Sequence, residues 1–109
     1  DSAIVPMQCE YLALRALKQL QVIVNKVRRK ANPRLRVRIL RTLYSGNTLH
    51  GREVFDEIAR VAPEEVLKTY IKRTVRFADA AAAGETILSY AKSSDAADAY
   101  RELAKELDI

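Results

Sequence analysis

The sequence predicts an α/β unit built on a mostly parallel sheet, and three observations carry that prediction. Short apolar stretches at residues 3–7, 35–43 and 66–71 alternate with longer segments whose apolar residues recur every three or four positions. Strands separated by helical segments imply βαβ crossovers and therefore parallel pairing. The chain has 109 residues, 49% apolar and 30% charged, which is the profile of one small globular unit.

Each element follows from local pattern. Ala3 to Met7 is an apolar run preceded only by Asp1 and Ser2, and reads as the first strand. A helix follows from Glu10 to Lys30, with Leu14, Leu17, Leu20, Val24 and Val27 on one face. Arg28, Arg29 and Lys30 crowd its last turn, where positive charge suits the helix dipole, and Asn32-Pro33 stops it. Leu35 to Leu43, loosely alternating with Arg36, Arg38 and Arg41, reads as the second strand.

Ser45 to Thr48 is a turn cluster. The next helix, Leu49 to Val61, presents Val54, Phe55, Ile58 and Val61, and Pro63 ends it. Val66 to Ile71 is the third strand. Lys72 to Gly84 forms a longer connection with one or two helical turns stopped at Gly84. Thr86 to Tyr90 reads as short and extended. Ser93 or Ser94 caps the last helix, whose face is Ala96/Ala97, Tyr100, Leu103/Ala104 and Leu107.

The predicted order is β-α-β-α-β-loop-α. A parallel sheet needs cover on both faces and neighbours on both edges, and these helices supply only part of it. The chain therefore reads as part of a larger sheet with an exposed first strand. Self-association, including exchange of a segment between copies, is the expected consequence. An opening without Met, directly into an apolar strand, is what a fragment would show.

Composition excludes several classes. No apolar run approaches the length of a membrane span, and no basic stretch leads into a secretory-type apolar region. A single cysteine, Cys9, excludes an internal disulfide framework or thiolate zinc site, and packing is the expected role for its side chain. The single histidine, His50, removes the usual metal clusters and makes no triad. No catalytic or metal-ligating set is expected. Glycine occurs only at positions 46, 51 and 84, so a glycine-rich phosphate loop has no residues to build it.

Charge is segregated along the chain. Residues 1–52 carry eleven Lys/Arg against two acids, whereas residues 53–109 carry eight against twelve. Between Lys26 and Arg41, eight of sixteen residues are basic. Such a patch is the footprint of a polyanion partner.

Four segments carry a resemblance. Residues 5–14 (VPMQCEYLAL), 42–54 (TLYSGNTLHGREV), 68–77 (KTYIKRTVRF) and the closing stretch from Ala83 through Tyr90 to Ala104 are similar, in order and nearly without gaps, to ParA/Soj-type partition ATPases. These are MinD-related members of the deviant-Walker P-loop NTPases. The resemblance covers residues 1–109 as the C-terminal part of such an ATPase domain, with a Rossmann-like sheet. The family's phosphate-binding Lys-Gly-Gly-x-Gly-Lys-[Thr/Ser] loop and its Asp-x-Pro-Pro segment have no counterpart here.

The resemblance implies a cycle of ATP- and Mg²⁺-dependent dimerisation, non-specific DNA binding on the nucleoid, and hydrolysis stimulated by a ParB-type centromere-binding protein. It places a cytoplasmic parent protein in chromosome or plasmid segregation. This chain alone, without the P-loop, is expected to hold no cofactor and to hydrolyse no ATP. The arginine of the family's "NVRL" segment matches Arg76, the first choice for a DNA contact, with Arg73 and Lys72 beside it. The family's other basic position falls on Asn47, and Arg36, Arg38, Arg41 and Arg52 are expected to compensate, Arg38 and Arg41 from exposed positions, while Arg28, Arg29 and Lys30 read either as a helix C-terminal cap cluster or as DNA contacts. Thr42, Ile71, Lys72 and Arg73 match the family's adenine-side positions, with Lys72 replacing a proline. The last helix, acidic at Glu102, Glu106 and Asp108, departs from a basic membrane-targeting helix, so no membrane partner is expected. The alternative is a stand-alone DNA-binding or regulatory module without nucleotide switching.

Overall fold

The structure is a computed structural model and describes residues 2–108. Its elements are β1 (Ser2–Gln8), α1 (Ala13–Lys30), β2 (Arg36–Tyr44), α2 (Leu49–Val61), β3 (Val66–Lys72), α3 (Arg76–Ala82), α4 (Ile87–Tyr90) and α5 (Asp95–Glu106). The three strands form one parallel sheet in the order β1-β2-β3. With helices against both faces, this is the α/β architecture expected from the sequence, consistent with the C-terminal region of a Rossmann-like P-loop NTPase.

Strands laid down in sequence order put successive crossovers of one hand on one face. Accordingly α1 and α2 pack together there: Met7, Leu17, Ile39, Val54 and Ile58 form the larger core, with Leu17, Ile39 and Ile58 almost wholly buried. On the other face α5 lies along β3, where Leu103 and Leu107 pack against Leu40, Leu67 and Ile71. That cover does not extend over β1. Ile4 stays 45% exposed and its same-face neighbour Pro6 is exposed too.

Two boundaries moved. α1 starts at Ala13 because the Cys9 amide continues the strand pairing by donating to the Thr42 carbonyl at 3.0 Å, and residues 10–12 then make a turn. Residues 86–90 are not extended. The Thr86 hydroxyl accepts from the Ser89 amide at 3.3 Å, and the Tyr90 amide donates to the Thr86 carbonyl at 2.9 Å, making the helical turn α4. A hydroxyl followed three residues later by a free amide is a capping signal that outweighed β-branched propensity.

Caps define the remaining ends. Thr48 accepts from the Gly51 amide at 3.0 Å and Ser94 from the Ala97 amide at 3.1 Å, starting α2 and α5. Gly84, at φ +71°, closes α3 with paired bonds from Gly84 to the Ala81 carbonyl and from Glu85 to the Ala80 carbonyl.

The β2–β3 pair is irregular twice. Ile39 faces Val66 and Arg41 faces Tyr70, so β3 carries a bulge spanning Leu67 to Thr69. Further on, Arg41–Tyr70 gives way to Tyr44–Lys72, and the extra β2 residue is accommodated by Leu43 at φ +53°. The second irregularity lies at the strand C-termini that carry the candidate site, whereas the bulge lies in the first half of β3.

Candidate nucleic-acid interface

In a parallel sheet the strand C-termini release their loops at one rim, where ligands collect. Here that rim is formed by the β1–α1 turn, the β2–α2 loop and the β3–α3 connection. Lys72, Arg73 and Arg76 project around a cavity of about 570 Å³ whose other wall is the start of α5, with Ser93, Ser94 and Asp95. All three cations are exposed. Arg73 pairs with Glu10 at 3.4 Å while both side chains stay more than half exposed, so the pair adds little stability and leaves the guanidinium accessible. Arg76, in the connection that follows β3, is the first residue of α3, where its amide donates to the Thr74 hydroxyl at 3.3 Å. Its side chain makes no ion pair among the described residues.

Arg52, one turn into α2, lies on the same rim. Its Nη1 donates to the Gly46 carbonyl at 2.7 Å, which steers the exposed guanidinium toward the β2–α2 loop. Arg38 does not join this group. It sits half-buried near the start of β2, close enough to Glu106 to help draw that carboxyl's pKa down.

Arg41 corrects the expectation of an exposed arginine. It is 7% exposed, stacked on the Phe55 ring at 3.8 Å, with Nη1 donating to the Phe55 carbonyl and Nη2 to the Leu67 carbonyl, both at 3.2 Å. Desolvation lowers its pKa, while the groups around it, led by Cys9, pull it back up. Its Nε is buried without a partner. A phosphate cannot reach this group. The signal was present in the strand alternation: Val37, Ile39 and Arg41 share the face that α1 and α2 cover.

The adenine-side positions divide in the same way. Ile71 is 2% exposed in the core, and the Thr42 carbonyl accepts from the Cys9 amide at 3.0 Å. Lys72 and Arg73 are open to a ligand. Burial raises the Cys9 thiol above its ordinary pKa, with Arg41 acting against it, which agrees with a packing role. His50 stacks on Tyr11 at 5.7 Å and shares a rim depression with Arg73. No three His, Cys, Asp or Glu residues converge on a metal position among the described residues.

Sequence reasoning missed the acidic clamp on the far side of β3. Glu106 accepts from the Lys68 and Thr69 amides at 2.7 and 2.8 Å, gripping the bulge that Arg41 holds from the opposite face. Burial would raise its pKa, but hydrogen bonds from the Thr69 side chain and these two amides, helped by Arg38, bring it below the ordinary value.

Three parallel strands with helices against both faces, the α5 cover stopping short of β1, and a polar rim at the strand C-termini define a Rossmann-like α/β unit. No protein-family model matches the chain. Individual proteins do. An uncharacterized protein of Mycobacterium tuberculosis is 43% identical over 98% of this chain and 34% of its own length. The chromosome-partitioning ATPase Soj of Thermus thermophilus is 41% identical over 98% of this chain and 43% of its own length. The sporulation initiation inhibitor protein Soj of Bacillus subtilis is 37% identical over the same shares.

The chain matches ParA/Soj-type partition ATPases at 31–41% identity over 98% of its length, consistent with the C-terminal half of such a protein. It spans 34–43% of the length of these curated relatives. No described helix is long and apolar enough to cross a membrane.

Proposed function

We propose that this chain is the DNA-contacting part of a chromosome- or plasmid-partitioning ATPase. It engages the phosphates of duplex DNA, without sequence preference, through Arg76, Arg73 and Lys72, with Arg52 at the edge of the same rim. The observation that carries this reading is the accessible cation cluster around the cavity at the end of β3. An arginine or lysine on an exposed rim satisfies phosphate oxygens with little steric demand, and such contacts position a protein on DNA without reading bases.

In this reading the parent protein binds DNA as an ATP-dependent dimer on the nucleoid and meets a ParB-type partner that promotes hydrolysis. Adenine would rest against the peptide groups of residues 71–74 and the stems of Lys72 and Arg73. The triphosphate and Mg²⁺ would be held by residues outside these 109, since no Gly-Lys-[Ser/Thr] occurs among them. ATP would supply the energy of the dimerisation switch. The chain by itself neither hydrolyses ATP nor binds it tightly.

Fluorescence anisotropy with a mixed-sequence duplex across a salt series tests this. Binding whose log K falls steeply with log salt is the expected result. A slope near zero, or no binding at low salt, defeats the DNA reading. Mg²⁺-dependent ATP turnover above blank defeats the statement about hydrolysis.

A further inference from the structure

The densest basic stretch of the sequence is not at this rim. Between Glu10 and Glu53 the chain carries eleven Lys/Arg and no acid. The fold gathers part of that run where α1 ends and β2 begins. The Arg28 Nε donates to the Leu35 carbonyl at 2.9 Å, pinning the last turn of α1 to the residue before β2. Arg29, Lys30, Arg34 and Arg36 are exposed around that anchor. None of them makes an ion pair among the described residues, where the pairs are Arg60–Glu57, Arg73–Glu10, Arg101–Asp98 and Lys105–Glu102.

This second cluster is far from the first. The Arg73 amide donates to the Tyr44 carbonyl at 2.8 Å, which fixes the rim cations at the end of β2, whereas Arg36 begins that strand. Eight residue steps of strand separate the two by about 26 Å.

We infer that this end of the sheet is a second phosphate-binding surface for duplex DNA, able to hold a different DNA segment from the one at the rim. The inference rests on the DNA reading above for its partner class and adds a separate site. Chemistry favours DNA over a membrane or a protein partner. Interfacial helices and protein hot spots need apolar or aromatic anchors; the exposed Val22 and Ile23 lie two turns back along α1 from Arg29 and Lys30, and no exposed large apolar side chain stands among Arg29, Lys30, Arg34 and Arg36 themselves. A row of unpaired cations without such an anchor suits a phosphate backbone. The neighbouring depression of about 510 Å³ is of mixed sign, since Glu64, Glu65 and Glu106 share it with Arg36 and Arg38. The phosphates therefore track outside it, over Arg29, Lys30, Arg34 and Arg36.

The test compares the wild-type chain with Arg29→Glu/Lys30→Glu/Arg36→Glu and with Lys72→Glu/Arg76→Glu. Anisotropy is measured over a salt series, and energy transfer between donor- and acceptor-labelled duplexes reports bridging. The triple variant should bind at least about tenfold more weakly at low salt, and its salt slope should shrink by about 2.7, or 0.9 for each lost contact. Bridging should disappear in both variants while each still binds one duplex. A thermal melt matching wild type shows that the fold is intact; if it does not match, Arg29→Gln/Lys30→Gln/Arg36→Gln takes its place. Unchanged affinity, slope and bridging in the triple variant overturn the inference and leave the rim reading standing. Wild-type affinity in the Lys72/Arg76 variant, with binding lost in the triple variant, overturns the rim reading instead. Loss of binding to anionic phosphatidylserine vesicles, with DNA binding unchanged, also overturns the inference.

Discussion

Arg41 reaches across the parallel β2–β3 pair and donates from Nη2 to the carbonyl of Leu67 at 3.2 Å. That carbonyl belongs to the bulge, whose Lys68 and Thr69 amides turn the other way, to Glu106. One buried cation and one carboxylate thus replace the ladder bonds that the bulge forfeits, from opposite faces of the sheet. Unpaired backbone groups in a sheet interior are costly, which gives both side chains a structural task.

Truncating Arg41 strands two carbonyls and uncovers the Phe55 ring. Arg41→Ala should lower unfolding free energy by about 2–4 kcal/mol. Arg41→Met should recover part of this, because it refills the space over Phe55 without a buried charge. Urea unfolding checks both. DNA affinity of the folded fraction should not change, and a selective loss of affinity at wild-type stability would contradict the burial.

Glu106 has a folded pKa below its unfolded value, so its contribution is complete above the ordinary carboxylate value of about 4.3 and drains away as pH falls through the lower folded value. Glu106→Gln should cost about 1 kcal/mol near neutrality, since the side chain is only partly buried. It should also flatten the acid limb of a stability–pH curve. Parallel curves for wild type and variant below pH 5 would refute this.

Gly51 sits under the cap of α2. A Cβ there would lie 2.6 Å from the Ser45 carbonyl oxygen and 2.8 Å from the Thr48 hydroxyl. The first neighbour is backbone and cannot swing away. Gly51→Ala should therefore destabilise the chain by about 1–3 kcal/mol despite the better helix propensity of alanine. Thermal melts should show a lower Tm, and a raised Tm would mean that the β2–α2 loop relaxes freely.

Arg76 is exposed and makes no ion pair among the described residues. Arg76→Ala should leave stability within about 0.5 kcal/mol of wild type. It should reduce the salt slope of DNA binding by about 1. Arg52→Ala should do less, because one of its nitrogens is already committed to the Gly46 carbonyl. Equal binding by Arg76→Ala and wild type across the salt series would remove Arg76 from the interface.

Much of the fold was legible in local pattern. The bounds of α2 were read to the residue, and the strands were placed to within a residue at each end. Ser94 and Gly84 announced the helix boundaries they make. The misreadings were contests between local signals: Thr86 favoured a strand by shape and a cap by its hydroxyl, and Glu10 looked like a helix start until the Cys9 amide found Thr42.

The sequence by itself determined the alternation of strands and helices, the segregation of positive charge, the kinship with ParA/Soj proteins and the lack of a phosphate loop among these residues. These are properties of neighbouring residues, or of composition, and they survive without knowledge of what lies across the sheet. Tertiary structure decided the fate of the β2 arginines. Arg36 remains in water, Arg38 approaches Glu106, and Arg41 is buried between Phe55 and Leu67. Strand alternation assigns each to a face, but exposure depends on which helix covers that face and how far along it reaches. The partners that set this lie 14 and 26 residues from Arg41 in the chain. For the same reason the basic run from Lys26 to Arg41 divides into exposed cations where α1 ends and β2 begins and a buried clamp at Arg41, while the rim cations come from residues 72–76.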